Sequence, residues 1–534
     1  MYGNFENSGR LVRFIFRRER VVSTIWIVGL LLFSVILAFS MGSMFDDAAR
    51  QALAETLKNP GIIAMMGPVY GADNYTAGAM YSNTMLLWVI MAVAVMNILF
   101  VVRHTRADEE KGRAELVRSL PSGRMSNLNA TMISAVVINA VLALSVGVGL
   151  AVAGDESMGF IGSMLYGAVL GMSGLFFAAI AALFAQLSPS SGGAMGYSFS
   201  SLGIFYIMRA AGDMNSEVLS LISPLGIAQR SQIYAGNYWW PVLILLFEAV
   251  VVAAISYKLN SIRDMDQGFI HAKPGRKEAS ATLLSSFGLS FRLLRNMLIV
   301  WLIVMFLLGA SYGSILGDID TFIKESEFYQ QLIGVNDQYS TVTMFAAMVN
   351  SMMSFICLVP LLMIAMKARS EEKDGHAEHS LTRGISRTKY LAGFTVLSCA
   401  ASILLQCAMA GGLYVVASSV LPDPSELSLG FLLQASLVYL PALWIMTSIA
   451  ILLTGLWPKA TNAIWGYYGF SFLMIFIERF MDIPVWIMKL VPFSYIPQLP
   501  TDAINYVTLA VLTVIATTLA AIGFVFYRKR DLVS

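Results

Sequence analysis

Two charged segments interrupt an otherwise apolar chain and hold the residues best suited to bind a partner. The first, Arg106–Arg124, reads RADEEKGRAELVRSLPSGR, and the second, Arg369–Arg387, reads RSEEKDGHAEHSLTRGISR. Opposite charges three or four residues apart lie on one side of a helix, and Glu109 with Arg113 is such a pair. Each segment is therefore predicted to be a short charged helix that receives force from a soluble partner.

The two segments also resemble each other. Residue identity, with one residue inserted before the glycine, aligns Glu109, Glu110, Lys111, Gly112, Ala114 and Glu115 with Glu371, Glu372, Lys373, Gly375, Ala377 and Glu378. A solvated helix with surface ion pairs of about 0.3–0.5 kcal/mol each would explain either segment alone. The recurrence of the segment in both halves of the chain instead favours a role in docking a soluble partner.

Other charged residues lie at the ends of apolar runs or inside them. Arg209 with Asp213, and Arg479 with Asp482, lie at the outer ends of two runs. Such a pair can act as an outer gate, or it can anchor a helix at the lipid headgroups. Glu248 lies inside the run LLFEAVVV, where a carboxylate either handles substrate or protons or pairs with a neighbouring helix.

The sequence predicts no catalytic residues, metal site or cofactor in this chain. Its four histidines lie in charged, polar stretches and form no ligand pattern with the three cysteines, so we expect them to be solvated. The phosphate-binding pattern GxxxxGK[ST] does not occur anywhere in the sequence. ATP, if used, must be bound by another polypeptide.

The elements that position these residues are long apolar runs. The 534 residues are 57% hydrophobic and 13% charged, where a soluble protein has roughly 25% charged residues. In lipid such runs must be helices, because an unpaired backbone group finds no water there. The sequence predicts an all-α membrane protein with about twelve spans: 21–41, 85–102, 128–153, 159–187, 196–210, 239–257, 293–313, 343–366, 390–419, 430–456, 461–478 and 503–527.

Most of the 35 lysines and arginines fall in segments on the same side as the N-terminus. By the positive-inside rule, both termini and both charged segments are predicted to face the cytoplasm. Residues 5–20 are predicted to form a separate basic amphipathic helix at the membrane surface. A net charge of +2 gives no indication of a nucleic-acid partner.

The two halves of the chain also match at positions outside the charged segments. We therefore expect a tandem duplication of a six-span unit. Its copies are residues 1–257 and 291–534, and residues 258–290 form a cytoplasmic linker between them. Because six is even, the repeats are parallel, and the seam between them is the expected pathway. The matching positions are Trp26 with Trp301, Arg209 with Arg479, Pro224 with Pro492, Asn237-Tyr238 with Asn505-Tyr506, and Arg263-Asp264 with Arg530-Asp531.

The first segment, R-x-D-E-E-x-G-R-A-E-L followed by Leu-Pro and Gly-Arg, resembles the segment after the second span of ABC-2-type exporter permeases. The chain looks most like the fused twelve-span permeases of polyketide-antibiotic (tetronasin-type) exporters. The match extends to Arg209 with Asp213, Ser223–Gly226, Asn237–Pro241 and Arg263-Asp264. It covers essentially the whole chain, although the second segment departs from the pattern.

The resemblance implies a bacterial plasma-membrane exporter permease that works with two copies of a separate ATPase, which bind ATP and Mg. Its substrate would be an amphipathic or hydrophobic antibiotic, drug, lipid or peptide. Residues 5–20 would be a connecting helix, and 106–121 and 369–384 would be coupling helices. The resemblance places these residues against the ATPase: Glu109, Glu110, Gly112, Arg113, Glu115, Glu371, Glu372, Gly375 and Glu378.

Two other functions remain open from the sequence. A proton-coupled secondary transporter can also be built from two parallel six-span repeats, but it needs a relay of buried titratable groups, and only Glu248 is available. A non-transporting membrane sensor or scaffold could use the same charged helices to relay signals.

Overall fold

A computed structural model describes residues 4–119, 122–153, 155–215, 217–264, 267–270, 278–318, 340–382, 384–421, 427–478, 483–500 and 502–531. The regular structure in these ranges is helical throughout. The chain divides into two compact units, unit 1 from Met1 to Gly275 and unit 2 from Arg276 to Ser534.

In its described residues, unit 1 contains six long helices and several short ones that follow or precede them. In chain order its helices are α1 (Ser8–Met44), α2 (Asp47–Leu57), α3 (Pro60–Met66), α4 (Ala77–His104), α5 (Arg106–Glu110), α6 (Arg113–Arg118), α7 (Ser126–Ala153), α8 (Phe160–Leu187), α9 (Ser191–Asn215), α10 (Glu217–Ile222), α11 (Pro224–Gln229) and α12 (Trp240–Ile262).

Unit 2 repeats much of this order. Its helices are α13 (Ser286–Ile315), α14 (Thr341–Lys373), α15 (His376–Leu381), α16 (Arg387–Val420), α17 (Leu429–Leu437), α18 (Leu440–Leu456), α19 (Ala463–Ile477), α20 (Val485–Met488) and α21 (Tyr506–Lys529). A 3₁₀ turn at Pro458–Ala460 leads into α19.

Ten candidate spans lie among the described helices, five in each unit, so the chain is a multi-pass membrane protein. The predicted count of twelve spans is not confirmed. The two runs without a candidate span are 196–210 and 461–478. The first belongs to α9, which is rich in Gly and Ser and carries Arg209 and Asp213. The second forms α19, whose 15 residues are fewer than the about 20 needed to cross the hydrocarbon.

The basic N-terminal stretch is not a helix of its own. Residues from Ser8 continue without interruption into the first span and form the 37-residue helix α1. The sequence predicted a surface helix over 5–20 followed by a span over 21–41. No glycine or proline separates the two stretches, and nothing in the backbone chemistry stops the helix between them.

The same pairs of long helices pack together in each unit. In unit 1, α1 packs on α7, α8 packs on α12, and α4 packs on α8. In unit 2 the corresponding pairs are α13 with α16, α18 with α21, and α14 with α18. The second span of each unit, α4 or α14, is largely surrounded by protein, whereas the last span, α12 or α21, is mostly exposed on its sides.

The pair α13 and α16 is held by close approach of small residues, as is common where membrane helices cross. A Cβ atom on Gly412 would lie 2.0 Å from the carbonyl oxygen of Phe306, and one on Gly309 would lie 2.2 Å from that of Met409. Both glycines therefore let the backbones meet.

Replacing Gly412 with alanine is expected to push α13 away from α16 and lower the unfolding temperature in detergent. The cost is about 1–3 kcal/mol, as for other overpacked interiors. Gly411→Ala is the matched control, since its added Cβ meets no atom within 4 Å. Equal unfolding temperatures for the two variants would contradict the close packing.

Candidate functional site: the charged helices after the second span

The first charged segment forms two short helices, α5 and α6, rather than one helix over 106–121. Gly112 lies between them at a φ of 68°, a left-handed conformation that glycine adopts at no steric cost. In unit 2, the helix of the second span runs on to Lys373, and Gly375 follows it at a φ of 78° before α15. Each segment therefore bends at its glycine.

Glu109 is the centre of an ion-pair cluster in unit 1. Its Oε1 accepts a hydrogen bond from Arg263 Nη2 at 2.6 Å, and its Oε2 accepts one from Arg106 Nη1 at 2.6 Å. Arg124, just before α7, donates to the main-chain carbonyl of Arg263 at 2.7 Å. We call this arrangement of Arg106, Glu109, Arg124 and Arg263 the clasp of unit 1. It joins α5 to the end of α12 and the start of α7.

Unit 2 contains the same clasp, made of Arg369, Glu372, Arg387 and Arg530. Arg530 donates to both carboxylate oxygens of Glu372, at 2.7 and 2.5 Å, and Arg369 lies 3.4 Å from the same carboxylate. Arg387 donates to the main-chain carbonyl of Arg530 at 2.5 Å. Glu109 and Glu372 expose only 9% and 3% of their side chains, so both carboxylates are committed to internal partners.

The contacts place the two segments in one register without an insertion, which corrects the alignment of Glu109 with Glu371. The matched positions are Arg106 with Arg369, Asp108 with Glu371, Glu109 with Glu372, Glu110 with Lys373, Gly112 with Gly375, Arg113 with His376, Ala114 with Ala377, and Glu115 with Glu378. Alignment by residue identity alone shifted the acidic residues by one position.

Asp108, rather than Glu109, is the partner of Arg113. Arg113 Nη1 lies 3.2 Å from Asp108 Oδ1, and Arg18 of α1 binds the same carboxylate with two hydrogen bonds of 2.7 and 3.2 Å. The predicted pair of Glu109 with Arg113 is wrong because Gly112 breaks the helix between them. Unit 2 repeats the local contact, with His376 Nδ1 at 3.2 Å from Glu371 Oε2.

Glu110 is also engaged within unit 1. It accepts a hydrogen bond from the backbone N–H of Ser191 at 3.1 Å and another from the hydroxyl of that residue, at the first turn of α9. Arg106 adds a bond of 2.6 Å to the carbonyl of Pro189. Together these contacts fasten α5 to the start of α9.

Beyond each glycine lie exposed side chains that make no ion pair in the described part of the chain. Glu115 and Leu116 of α6 are exposed, Leu116 to 71%. Glu378 and His379 of α15 are exposed in unit 2. No ion pair occupies Glu115 or Glu378 in the described part of the chain. These four residues are the part of the candidate site that is open to a partner.

His104 differs from the solvated histidine that the sequence predicted. It is almost fully buried at the end of α4, and its Nε2 lies 3.1 Å from Glu19 Oε1, which Arg103 also binds. The described residues contain no group of three metal-ligating side chains.

The side chains of Arg209 and Asp213 are buried within unit 1. Arg209 Nη2 donates to the carbonyls of Ala64 and Met65 at 2.7 and 3.2 Å, in the last turn of α3, where a cation complements the helix dipole. It also lies 3.2 Å from Asp213. This geometry holds α3 against α9. The repeat candidates Arg479 and Asp482 lie outside the described residues.

Glu248 lies in α12 and is half-buried. The structure describes no hydrogen-bond partner for its buried Oε2. A carboxylate without a partner inside a span is a functional candidate.

Comparison with known proteins places these features in a family. The family model described as "Multidrug efflux system permease Rv1217c, C-terminal domain" matches residues 10–258 and 283–528. The chain belongs to this family. It is also 31% identical over 543 residues to the multidrug efflux system permease protein Rv1217c of Mycobacterium tuberculosis (strain ATCC 25618 / H37Rv), covering 99% of this chain and 95% of the relative.

Family membership confirms the prediction that this chain is a transmembrane exporter permease. The narrower resemblance to tetronasin-type exporters stays a prediction, because the matching model and the relative are both described by multidrug efflux.

Replacing Glu109 with alanine is expected to destabilise this permease by about 3–5 kcal/mol, since it leaves buried arginine charges without their carboxylate. Glu372→Ala should behave alike in unit 2. Thermal unfolding in detergent measures the loss, with exposed Glu115→Ala as the control. If Glu109→Ala and Glu115→Ala unfold at the same temperature, the clasp does not stabilise the fold.

Proposed function

We propose that this chain is the transmembrane permease subunit of a bacterial ABC exporter. It moves a hydrophobic or amphipathic substrate out of the cell with energy from ATP hydrolysed by a separate ATPase. The name of the mycobacterial relative supports drug export. The observation that carries the proposal is the clasp, which joins the charged segment after the second span to the last span, from the short helix α5 in unit 1 and from the end of α14 in unit 2.

The proposed docking surface consists of Glu115, Leu116, Glu378 and His379, which are exposed on α6 and α15 and make no ion pair with any described residue. A mixed surface of acidic and apolar side chains suits a protein partner, because the apolar atoms add buried area and the charges select the partner. Two such surfaces in one chain suit two copies of an ATPase, which would hold the ATP and Mg.

The clasp would carry movement from the docking surface into the membrane. A displacement of α6 moves α5, and Glu109 of α5 is bound to Arg263 at the end of α12. Because both side chains are nearly removed from water, separating them would expose a buried charge and cost several kcal/mol. The short helix and the span are therefore expected to move together. In this proposal Glu109 and Glu372 act inside the permease, while Glu115 and Glu378 touch the ATPase.

The proposal includes the orientation of the chain. Both termini and both docking surfaces would face the cytoplasm of a bacterial plasma membrane, since most lysines and arginines lie on that side. ATP is available on the same side.

Reversing both docking charges, Glu115→Arg with Glu378→Arg, is expected to lower association with the ATPase tenfold or more while the chain still inserts in the membrane. Co-elution of the ATPase in mild detergent measures association. The control is Glu55→Arg, since Glu55 is an exposed acidic residue of α2 whose ion-pair partner among the described residues is Lys58, also at the surface. Normal association with the ATPase and normal ATP turnover in the double variant would contradict the docking proposal.

The second candidate function is a proton-coupled transporter, favoured only by the unpartnered carboxylate of Glu248. A proton carrier must lose and regain a proton during transport, and glutamine cannot.

Glu248→Gln therefore separates the two functions. An ATP-driven permease is expected to retain drug efflux within about twofold, and a proton-coupled transporter is expected to lose it. Efflux of a fluorescent hydrophobic drug from cells measures the outcome. Glu248→Ala serves as a second variant, so that loss of packing can be told apart from loss of the proton.

A further inference from the structure

A basic cavity lies in unit 2 between the charged end of α14 and the start of α19. Its volume is about 640 Å³, within the range of about 300–1,000 Å³ typical of ligand sites. Four cationic side chains line it, and no carboxylate is among the lining residues: Lys367, Arg369, Lys373 and Lys459.

Two of these charges are balanced and two are not. Lys367 lies 2.7 Å from Glu371, and Arg369 lies 3.4 Å from Glu372. Lys373 and Lys459 make no ion pair with any residue that the structure describes, and both are exposed residues of the cavity lining. The cavity therefore keeps an uncompensated positive charge.

In unit 1, the place that corresponds to this cavity is occupied by a carboxylate of the chain itself. There Glu110 extends its carboxylate to the backbone N–H and hydroxyl of Ser191, where α9 begins, and Arg106 binds the carbonyl of Pro189. The N-terminus of a helix favours negative charge, because its first N–H groups have no partner within the helix. Unit 1 thus supplies its own anion.

Unit 2 has a lysine where unit 1 has this glutamate. Lys373 occupies the position of Glu110, and Arg369 occupies that of Arg106. The chain before α19, with Pro458 matching Pro189, also lines the cavity. Arg369 Nη1 is buried and lies 3.4 Å from Glu372 Oε1, but it makes no hydrogen bond with any described residue. The two elements that bond directly in unit 1 are separated by the cavity in unit 2.

We infer that this cavity binds a phosphate group carried by an anionic membrane lipid. The phosphate would take the position that the carboxylate of Glu110 takes in unit 1. Lysine and arginine are suited to phosphate oxygens, and basic pockets between transmembrane helices bind lipid headgroups. Met363, Met366 and Trp465 give the cavity an apolar wall beside its charges, which suits a lipid rather than a free phosphate ion.

A bound lipid would join α14 to α19 in unit 2 as Glu110 and Arg106 join α5 to α9 in unit 1. The inference rests on the cavity and the comparison of the two units, and it holds whether ATP or protons drive transport.

The test is native mass spectrometry of the full chain in mild detergent, titrated with phosphatidylglycerol or with phosphatidylcholine. The wild type should retain phosphatidylglycerol preferentially. Lys373→Gln with Lys459→Gln should weaken that retention about 25-fold, since each lysine near an anionic lipid contributes a factor of about five. The matched control, Lys111→Gln with Lys258→Gln, removes two exposed lysines of unit 1 and should retain the lipid as the wild type does.

Two further measurements identify the source of the phosphate and exclude misfolding. Inorganic phosphate at millimolar concentration should leave the lipid bound; displacement of the lipid by it would overturn the lipid assignment. Lys373→Glu places a carboxylate where unit 1 has one, so it should lower lipid retention and raise the unfolding temperature in lipid-free detergent. Equal lipid retention in the two lysine double variants, or equal retention of the two lipids, would overturn the inference.

Discussion

The buried contact between a glutamate and the arginine that ends the last span is the constraint on which each unit depends. Glu109 with Arg263, and Glu372 with Arg530, bring together parts of a unit far apart in sequence. The arginine is held a second time, because another arginine binds its main-chain carbonyl. In unit 1 the short helix α5 is thereby joined to α12 and to the start of α7, and in unit 2 the end of α14 is joined to the residues that end α21 and begin α16.

The two units use this common clasp with different surroundings. In unit 1, Asp108 and Glu110 extend it to α1 and α9 through side-chain contacts within the chain. In unit 2, Lys373 replaces Glu110, and a basic cavity lies beside the clasp. In unit 1 these contacts come from its own residues, whereas in unit 2 the cavity is the site that we propose for an anionic lipid. The two units thus share the clasp and differ in the residues around it.

The charged segments and most of the spans could be predicted from the sequence, because both are determined by residues that are close together along the chain. The glycines at 112 and 375 were recognisable for the same reason. The sequence did not reveal which glutamate is buried, since the deciding partners, Arg263 and Arg530, follow more than a hundred residues later. The recurrence of Arg-Asp at the end of both halves was the signal available. It also did not predict that Gly112 would separate Glu109 from Arg113.

The most direct test of ATP-driven export is transport of a hydrophobic drug in proteoliposomes containing this chain, with and without the ATPase that co-purifies with it. Vesicles would be energised either by ATP or by a pH gradient. The account predicts transport only when both the ATPase and ATP are present, and none from the pH gradient alone. Transport driven by a pH gradient in vesicles that contain only this chain would contradict it.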